Sequence, residues 1–321
     1  MNKLKKVGLT ALAASLATFS ATAGELSVTG SASIYYSAKE KAASTGFYQN
    51  DKIVFTGSGT MDNGMELTMG LSLDESDTAS DTTRTFEGRY VTLSSDTLGA
   101  LTFNGKDGDS VVSALDDKMP AAYEESWDGA DGPASFSDAN SFYYSNGNLA
   151  DGVTLLASYA PGGNGNNKGS SAIGATITAI DGLTLGLAAG GDNGTINNEA
   201  DYTVAYATYA MGPITIGAQM NDADYQTVNT DEEMTMVALS YALSEDMTVS
   251  YGYSELDYEL STKPNQEASA IGVSYTMGSI GFVGSYHDIE NASGGTTDTA
   301  NYKEYEIGLT FANVKPISYS L

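Results

Sequence analysis

Residues 25–36, ELSVTGSASIYY, alternate between apolar or small side chains and polar ones. Even-numbered positions are Leu, Val, Gly, Ala, Ile and Tyr, whereas the positions between them are mostly Glu, Ser and Thr. Successive side chains of a β-strand point to opposite faces, so this pattern predicts a strand with one apolar and one polar face. The same two-residue period recurs at 65–74, 214–221 and 304–311. The chain is therefore predicted to be built from strands.

Short and long connections alternate between the predicted strands. Gly, Asn and Asp supply the backbone freedom that tight hairpins require, and turns of this kind are predicted at 62–64, 97–99, 149–152, 180–182, 211–213, 244–246 and 277–279. Longer polar loops are predicted at 38–50, 75–83, 107–138, 161–169, 192–200, 223–231, 258–267 and 291–301. Tight turns at one end and longer loops at the other are typical of β-barrels in outer membranes.

Seven tight turns join seven strand pairs, and the first and last strands bring the predicted total to sixteen. The segments 84–95 and 232–243 fit less well, because their apolar residues do not keep one parity. A barrel of this size leaves an aqueous channel, and closing it leaves no unpaired strand edge in lipid. The predicted fold is an all-β, closed, antiparallel 16-stranded transmembrane barrel over residues 24–321.

Residues 1–23 are predicted to be a cleaved signal peptide. Lys3, Lys5 and Lys6 precede the apolar run 7–19, and small residues end the segment at Ala23. This order is that of a secretory signal, and the apolar run is too short to span a membrane. The absence of cysteine suits an exported chain that does not depend on disulfides.

The chain is strongly acidic, with 41 Asp and Glu against 14 Lys and Arg and a formal net charge of −27. Nucleic acid is excluded as a partner, because binding it requires a basic surface that neutralises phosphates. Cations are the partners that this charge favours.

The segment 107–138 carries nine acids and a single base, Lys118. Loops beyond about 12–15 residues inside a compact domain are usually functional or disordered. This one is the third of the eight long loops. We expect it to fold into the mouth of the barrel and narrow it.

The chain resembles the Gram-negative general diffusion porins, particularly the alphaproteobacterial type. The similarity rests on the order and spacing of short matches at 24–30 (GELSVTG), 57–65 (GSGTMDNGM), 98–106 (LGALTFNGK), 140–145 (NSFYYS) and 151–153 (DGV). It implies an inward-folded third loop, homotrimers in the lipid of the outer membrane, and passive diffusion of ions and small hydrophilic solutes. Porins of this kind usually end on an aromatic residue, which Phe311 would supply, but ten residues follow it here.

Two groups of residues are candidates for the permeation site. Carboxylates in a narrow aqueous passage attract cations and repel anions, and those predicted to form the constriction are Asp107, Asp109, Asp116, Asp117, Glu124 and Glu125. In the resembling family, basic wall residues face the acidic loop, and the predicted wall residues are Lys52, Glu87, Arg89 and Lys106. A solvated loop without effect on permeation, and a salt bridge that merely pins it, are the structural alternatives.

No enzymatic activity or cofactor is predicted. His287 precedes Asp288, but no nucleophile elbow accompanies them and one His cannot form a multi-histidine metal site. Ca²⁺ could bind loop acids such as Asp77 with Asp81, or Asp222 with Asp224, although solvated charge explains them equally well. The favoured function is a cation-preferring diffusion channel. A substrate-selective channel and a structural or adhesive barrel with a plugged lumen stay open as alternatives.

Overall fold

A computed structural model describes residues 22–41, 45–75, 85–106, 108–162, 169–195, 198–312 and 319–320. Within these ranges sixteen long strands form one antiparallel sheet. They are β1 (Thr22–Lys39), β2 (Thr45–Thr60), β3 (Glu66–Glu75), β4 (Thr85–Ser95), β5 (Gly99–Lys106), β6 (Ser141–Ala150), β7 (Val153–Pro161), β8 (Gly169–Ile180), β9 (Leu183–Thr195), β10 (Asn198–Met211), β11 (Ile214–Tyr225), β12 (Glu232–Ala242), β13 (Met247–Tyr258), β14 (Gln266–Met277), β15 (Ile280–Glu290) and β16 (Tyr302–Ala312). Short 3₁₀ turns occur at Ala292–Gly294 and Asp298–Ala300.

The sheet closes on itself. Each long strand pairs with the next, and β16 pairs with β1 from Ser31↔Ala312 to Lys39↔Glu304. The predicted sixteen-stranded closed barrel is therefore confirmed. The segment Tyr319–Ser320 also pairs with β1, opposite Leu26 and Glu25, so these two residues belong to the same sheet.

Two of the predicted long loops are shorter than expected. β1 and β2 extend to Lys39 and from Thr45, and β9 and β10 leave only residues 196–197 between them. The predicted signal peptide lies outside the described residues except for its last two, which begin β1; its cleavage stays a prediction. No helix in the described part of the chain is long and apolar enough to cross a membrane.

The outer wall of the barrel is apolar. Side chains such as Ile173, which is 69% exposed, and Leu187, 57% exposed, alternate with lumen-facing positions. Aromatic rings lie next to one another on this wall, with ring centroids 5.0 Å apart for Tyr36 and Phe47 and 5.1 Å apart for Phe103 and Phe142. Interfacial aromatic girdles are a property of such barrels.

Tyr202 lies on the opposite face of the sheet. Its side chain is buried inside the barrel, with its ring 5.2 Å from that of Phe136 in the long loop. The apolar residues of β12 do not keep one parity, because this strand also contacts the long loop. Met234 and Met236 are each 1% exposed on the inner face, while Val237 and Leu239 are exposed on the outer face. Both faces of β12 are apolar because one contacts the loop and the other faces outwards.

The irregular parity of β4 comes from a bulge. Ser72 pairs with Glu87 and Leu71 with Arg89, so Gly88 is an extra residue on β4. Gly88 has a φ of +55°, a left-handed conformation that suits glycine. Residues on either side of the bulge that share parity in the sequence consequently face opposite sides of the wall.

Candidate functional site

The loop between β5 and β6 is called here the constriction loop (residues 107–138), and its described part, residues 108–138, lies inside the barrel. A two-residue ladder between Gly108–Asp109 and Ser137–Asp138 closes its base. Further along, the Val111 amide donates to Ser158 Oγ on β7 at 3.0 Å, and the Ala122 amide donates to Ser250 Oγ on β13 at 2.8 Å. The Tyr302 hydroxyl on β16 donates to the carbonyl of Gly129 at 2.5 Å. The loop thus follows the inner wall from β7 to β16.

Apolar packing holds both ends of the constriction loop. Val111 and Val112 are fully buried, and Leu115, Met119 and Phe136 are nearly so. They form one cluster with inner-face residues of β8 to β13, called here the apolar anchor, whose wall members are Ala172, Ala188, Ala200, Tyr202, Val204, Tyr206, Ala223, Met234, Met236, Leu256 and Tyr258. Burial of this kind stabilises by roughly 25 cal/mol per Å² of apolar surface.

Glycines on the inner wall leave room for the loop. A Cβ at Gly174 would lie 2.6 Å from Val111 Cγ1, and one at Gly217 would lie 2.6 Å from Pro120 Cδ. Both distances are shorter than van der Waals contact. The sequence therefore accommodates the loop by omitting side chains at these wall positions.

Side-chain amides fix the loop backbone. Gln219 Nε2 on β11 donates to the carbonyls of Leu115 and Asp116, and its Oε1 accepts from the Lys118 amide at 3.0 Å. Gln266 on β14 makes the equivalent pair with Asp131, donating to its carbonyl at 2.8 Å and accepting from its amide at 3.2 Å. Buried amides satisfied in this way fix the loop's register.

Charged and phenolic groups hold the loop tip. Nε2 of His287 on β15 lies 3.1 Å from the Glu124 carboxylate, which also accepts from the Ser285 hydroxyl. The Tyr123 hydroxyl donates to Glu306 on β16. At the same end, Lys39 Nζ donates to the Gly129 carbonyl at 3.1 Å.

The loop acids differ in their exposure. Asp109, Asp117, Asp128 and Asp131 are exposed, whereas Asp116, Glu124 and Glu125 are half-buried. Asp107 lies outside the described residues. Of the predicted constriction residues, Asp109 and Asp117 thus meet water inside the barrel, while Glu124 is turned to the wall.

The acids are close enough to influence one another. Burial raises the pKa of Asp116 to about 6. Burial, with the charge of Asp117, raises the pKa of Glu125 to about 7. Burial and the charge of Glu124 raise the pKa of Asp128 to about 6. Glu124 differs: burial favours its neutral form, but the hydrogen-bonded His287 and Ser285 outweigh burial, so its pKa is lowered. Four carboxyls, those of Asp116, Asp117, Glu125 and Asp128, form the group called here the carboxylate row.

The predicted wall residues do not form one group. Lys52 on β2 is exposed and shares the lumen face with Tyr48, four residues earlier, whose hydroxyl reaches Glu306. Arg89 instead pairs with Leu71 and shares the outward face with Val91, and its guanidinium donates to the Gly105 carbonyl at 3.3 Å. The expectation that Arg89 faces the loop is corrected, because the bulge at Gly88 reverses its side.

The two remaining wall candidates lie at strand ends. Lys106 pairs with Arg89 at the end of β5, across a second irregularity in register. Glu87 pairs with Ser72 on β3, and its side chain lies outside what the structure describes. Of the four predicted wall residues, Lys52 has a lumen-facing position supported by the described contacts.

Sequence reasoning missed the wall residues that hold the loop, above all Gln219, Gln266, His287 and Glu306. They occupy lumen-facing positions and are buried there, so a large polar side chain at an inward position was the available signal. Within the described ranges no group of three or more His, Asp or Glu side chains is arranged for a metal ion. Asp77 and Asp81 fall outside those ranges.

Comparisons with known proteins found one matching family model and solved structures of similar fold. A family model described as Gram-negative porin matches residues 8–310. A loop L8 deletion mutant of OmpT, an outer membrane protein of Vibrio cholerae, is 15% identical with a TM-score of 0.72, covering 90% of this chain and 99% of that chain. No curated protein sequence matches significantly.

Two further solved structures are porins. A mutant of the Rh. blastica porin is 17% identical with a TM-score of 0.66, covering 90% of this chain and 100% of that one. An anion-selective porin from Comamonas acidovorans is 12% identical with a TM-score of 0.67, covering 91% of this chain and 100% of that one. At these identities the similarity shows a shared fold.

Proposed function

Because the chain belongs to the Gram-negative porin family, it is a diffusion channel of the outer membrane, and we propose that it passes cations in preference to anions. Small hydrophilic solutes pass through the same channel. The family and the fold point to a channel rather than an enzyme. The finer proposal concerns the sign of the ion preference and the residues that set it.

The observation that carries the proposal is the carboxylate row on the lumen side of the constriction loop. Asp117 and Asp128 are exposed to water, and Asp116 and Glu125 lie close enough for their charges to interact with those of their neighbours. Carboxylates enclosed by a low-dielectric wall raise the local concentration of cations and exclude anions. Lysines also lie inside the barrel, among them Lys39 at the loop tip, Lys52 on β2 and Lys118 on the loop, and they offset part of this negative charge.

The fold alone does not determine the sign of the preference. One structural neighbour with a similar barrel fold is an anion-selective porin. The preference must therefore come from the charges inside the barrel, which here are mainly acidic.

The reversal potential across a planar bilayer in a salt gradient tests the proposal. We expect the sign that corresponds to cation preference, more pronounced at about 0.1 M salt than at about 1 M, because the screening length falls from about 10 Å to about 3 Å. An anion preference would overturn the assignment. Entry of neutral sugars into liposomes, measured in parallel, separates an open pore from a plugged barrel, and saturable block by one solute class would identify a substrate-selective channel.

Acidification should weaken the cation preference over an unusually high pH range. A carboxyl is charged above its pKa and neutral below it, and Asp116, Glu125 and Asp128 titrate at about 6, 7 and 6, above the value of about 4 for an ordinary carboxyl. The permeability ratio should therefore fall as the pH is lowered from about 8 to about 5. A ratio that stays constant down to about pH 5 would contradict this titration of the row.

Two further proposals concern assembly and export. A homotrimer is supported by a structural neighbour described as the trimer form of OmpT, and chemical cross-linking in the native membrane measures it. Removal of residues 1–23 on export is supported by their charge and apolar pattern. Amino-terminal sequencing of the mature protein checks the cleavage after Ala23.

A further inference from the structure

Six side chains from four parts of the chain meet at the tip of the constriction loop, and they form what is called here the polar latch. It shares no residue with the apolar anchor or the carboxylate row, although Glu124 interacts with Asp128 of the row. Its members are Tyr48 of β2, Tyr123 and Glu124 of the loop, Ser285 and His287 of β15, and Glu306 of β16.

Glu306 connects the loop to β2. Its Oε1 accepts from the Tyr123 hydroxyl and its Oε2 from the Tyr48 hydroxyl, and the residue is 7% exposed. The ring of Tyr35 stacks on that of Tyr48, with centroids 5.1 Å apart, and lies nearly parallel to that of Tyr123 at 6.3 Å. One carboxylate and three rings thus join the tip to the strand that carries Lys52.

Glu124 makes the second connection. Its carboxylate lies 3.1 Å from Nε2 of His287, a residue that is 1% exposed, and accepts from Ser285. The charged or titratable groups that interact with Glu124 include His287, Glu306, Asp128, Glu125, Tyr123 and Tyr48. Hydrogen bonds to charged groups in enclosed surroundings are the stronger ones.

The position of the latch gives it control over the passage. The anchor, the amide pairs and the bond from Val111 to Ser158 attach the loop to the side of the barrel between β7 and β14. The contact between Tyr123 and Glu306 instead draws the tip towards β1 and β2, which carry Tyr35 and Tyr48. The open cross-section therefore depends on where the tip is held.

We propose that the polar latch sets the solute size limit of the channel, separately from the carboxylate row that sets its ion preference. Glu306, Tyr123, Glu124 and His287 are then the residues that position the tip. The inference rests on the proposed channel function. It assigns the solute size limit and the ion preference to two different groups of residues at the constriction loop.

Within the latch, Glu124 responds to pH differently from the acids of the carboxylate row. The pKa of Glu124 is lowered by its hydrogen-bonded partners although burial opposes this, whereas the pKa values of Asp116 and Glu125 are raised by burial. Mild acidification should consequently reduce the cation preference while the contact of Glu124 with the wall persists.

Removing the loop's side of the latch tests the inference. The variants are Tyr123→Phe and Tyr123→Phe/Glu124→Ala. In each, the population of the conformation in which the tip contacts the wall should fall by about tenfold or more for each lost hydrogen bond to a charged group. Liposomes should then admit larger neutral sugars, and the conductance in about 1 M KCl should rise, because fixed charges are screened at that salt concentration. Fluorescence of Trp127, the only Trp in the sequence and part of this loop, should shift as the tip moves.

Tyr253→Phe is the matched control. Tyr253 donates to Glu267 at 3.0 Å in a contact of the same chemistry, but exposed and without a loop residue. The solute size limit of the Tyr253→Phe protein should equal that of the unmodified protein. An unchanged or smaller size limit in the double variant overturns the inference. If these variants do not insert, Glu306→Gln, which is close in volume and keeps one acceptor, gives the same comparison.

Failure of the channel function itself is distinguishable. An unmodified protein that admits no sugar at all refutes the pore, whereas the Trp127 signal still reports whether the latch holds the tip. If the pore is open and its solute size limit is the same with and without the latch contacts, only the inference that the latch sets the size limit is refuted.

Discussion

Replacing the four acids of the carboxylate row by amides, Asp116→Asn, Asp117→Asn, Glu125→Gln and Asp128→Asn, should remove most of the cation preference. In a medium of dielectric about 80, a charge about 8 Å from a permeating ion contributes roughly 0.5 kcal/mol, so four contribute roughly 2 kcal/mol before screening. Screening at about 0.1 M salt reduces this to a change of roughly 3-fold to 10-fold in the permeability ratio. The reversal potential at about pH 8, where the row is ionised, measures it.

The chain offers a control with the same change in net charge. Asp62, Asp151, Asp181 and Asp246 are exposed acids in the tight turns at the opposite end of the barrel. Changing all four to Asn should leave the reversal potential close to that of the unmodified protein. Equal shifts in the two quadruple variants would show that the overall charge of −27, and not the row, sets the preference. Glu124 is left unchanged because it belongs to the latch.

The second large effect is expected from Val112→Asp in the apolar anchor. Val112 is 0% exposed, and a fully buried acid shifts its pKa by about 3–5 units, equivalent to about 4–7 kcal/mol when it must be charged. The loop can avoid this cost by leaving the wall while the strands stay paired, because local opening requires less free energy than global unfolding. We expect faster chymotrypsin cleavage within residues 111–136 and a shift in Trp127 fluorescence.

Val228→Asp provides the comparison for this variant. Val228 is 79% exposed in the connection between β11 and β12, so a carboxylate there remains hydrated. Cleavage and fluorescence should match those of the unmodified protein. A Val112→Asp protein that resists cleavage to the same extent would mean that the amide pairs of Gln219 and Gln266 suffice to hold the loop.

Much of the barrel could be predicted from local patterns. Alternation along β1, β3 and β11 identifies strands because side chains of adjacent residues face opposite sides, and Gly-containing turns mark the hairpins. The pattern failed at β12, where Met234 and Met236 pack on the loop while Val237 faces outwards. A strand with two apolar faces has no clear period.

The sequence also identified the acidic loop, although it did not identify the residues that hold it. Gly88 gave no sign that it reverses the side of Arg89, since the bulge is defined only by pairing with β3. The partners in the latch are far apart in the chain: Tyr123 and Glu306 are separated by 183 positions, and Glu124 and His287 by 163. Neither pair has a spacing that could be recognised beforehand.

The sequence by itself determined the strands, their number, the alternation of short and long connections and the excess of acid in the third long loop, because period, turn chemistry and charge are properties of neighbouring residues. Only the tertiary structure decided which acids meet water and which bind the wall. Closure of the sheet and its register bring β2, β15 and β16 to the loop tip. As a result, Glu124 holds the loop tip to the wall as part of the polar latch, while Asp117 is exposed in the passage.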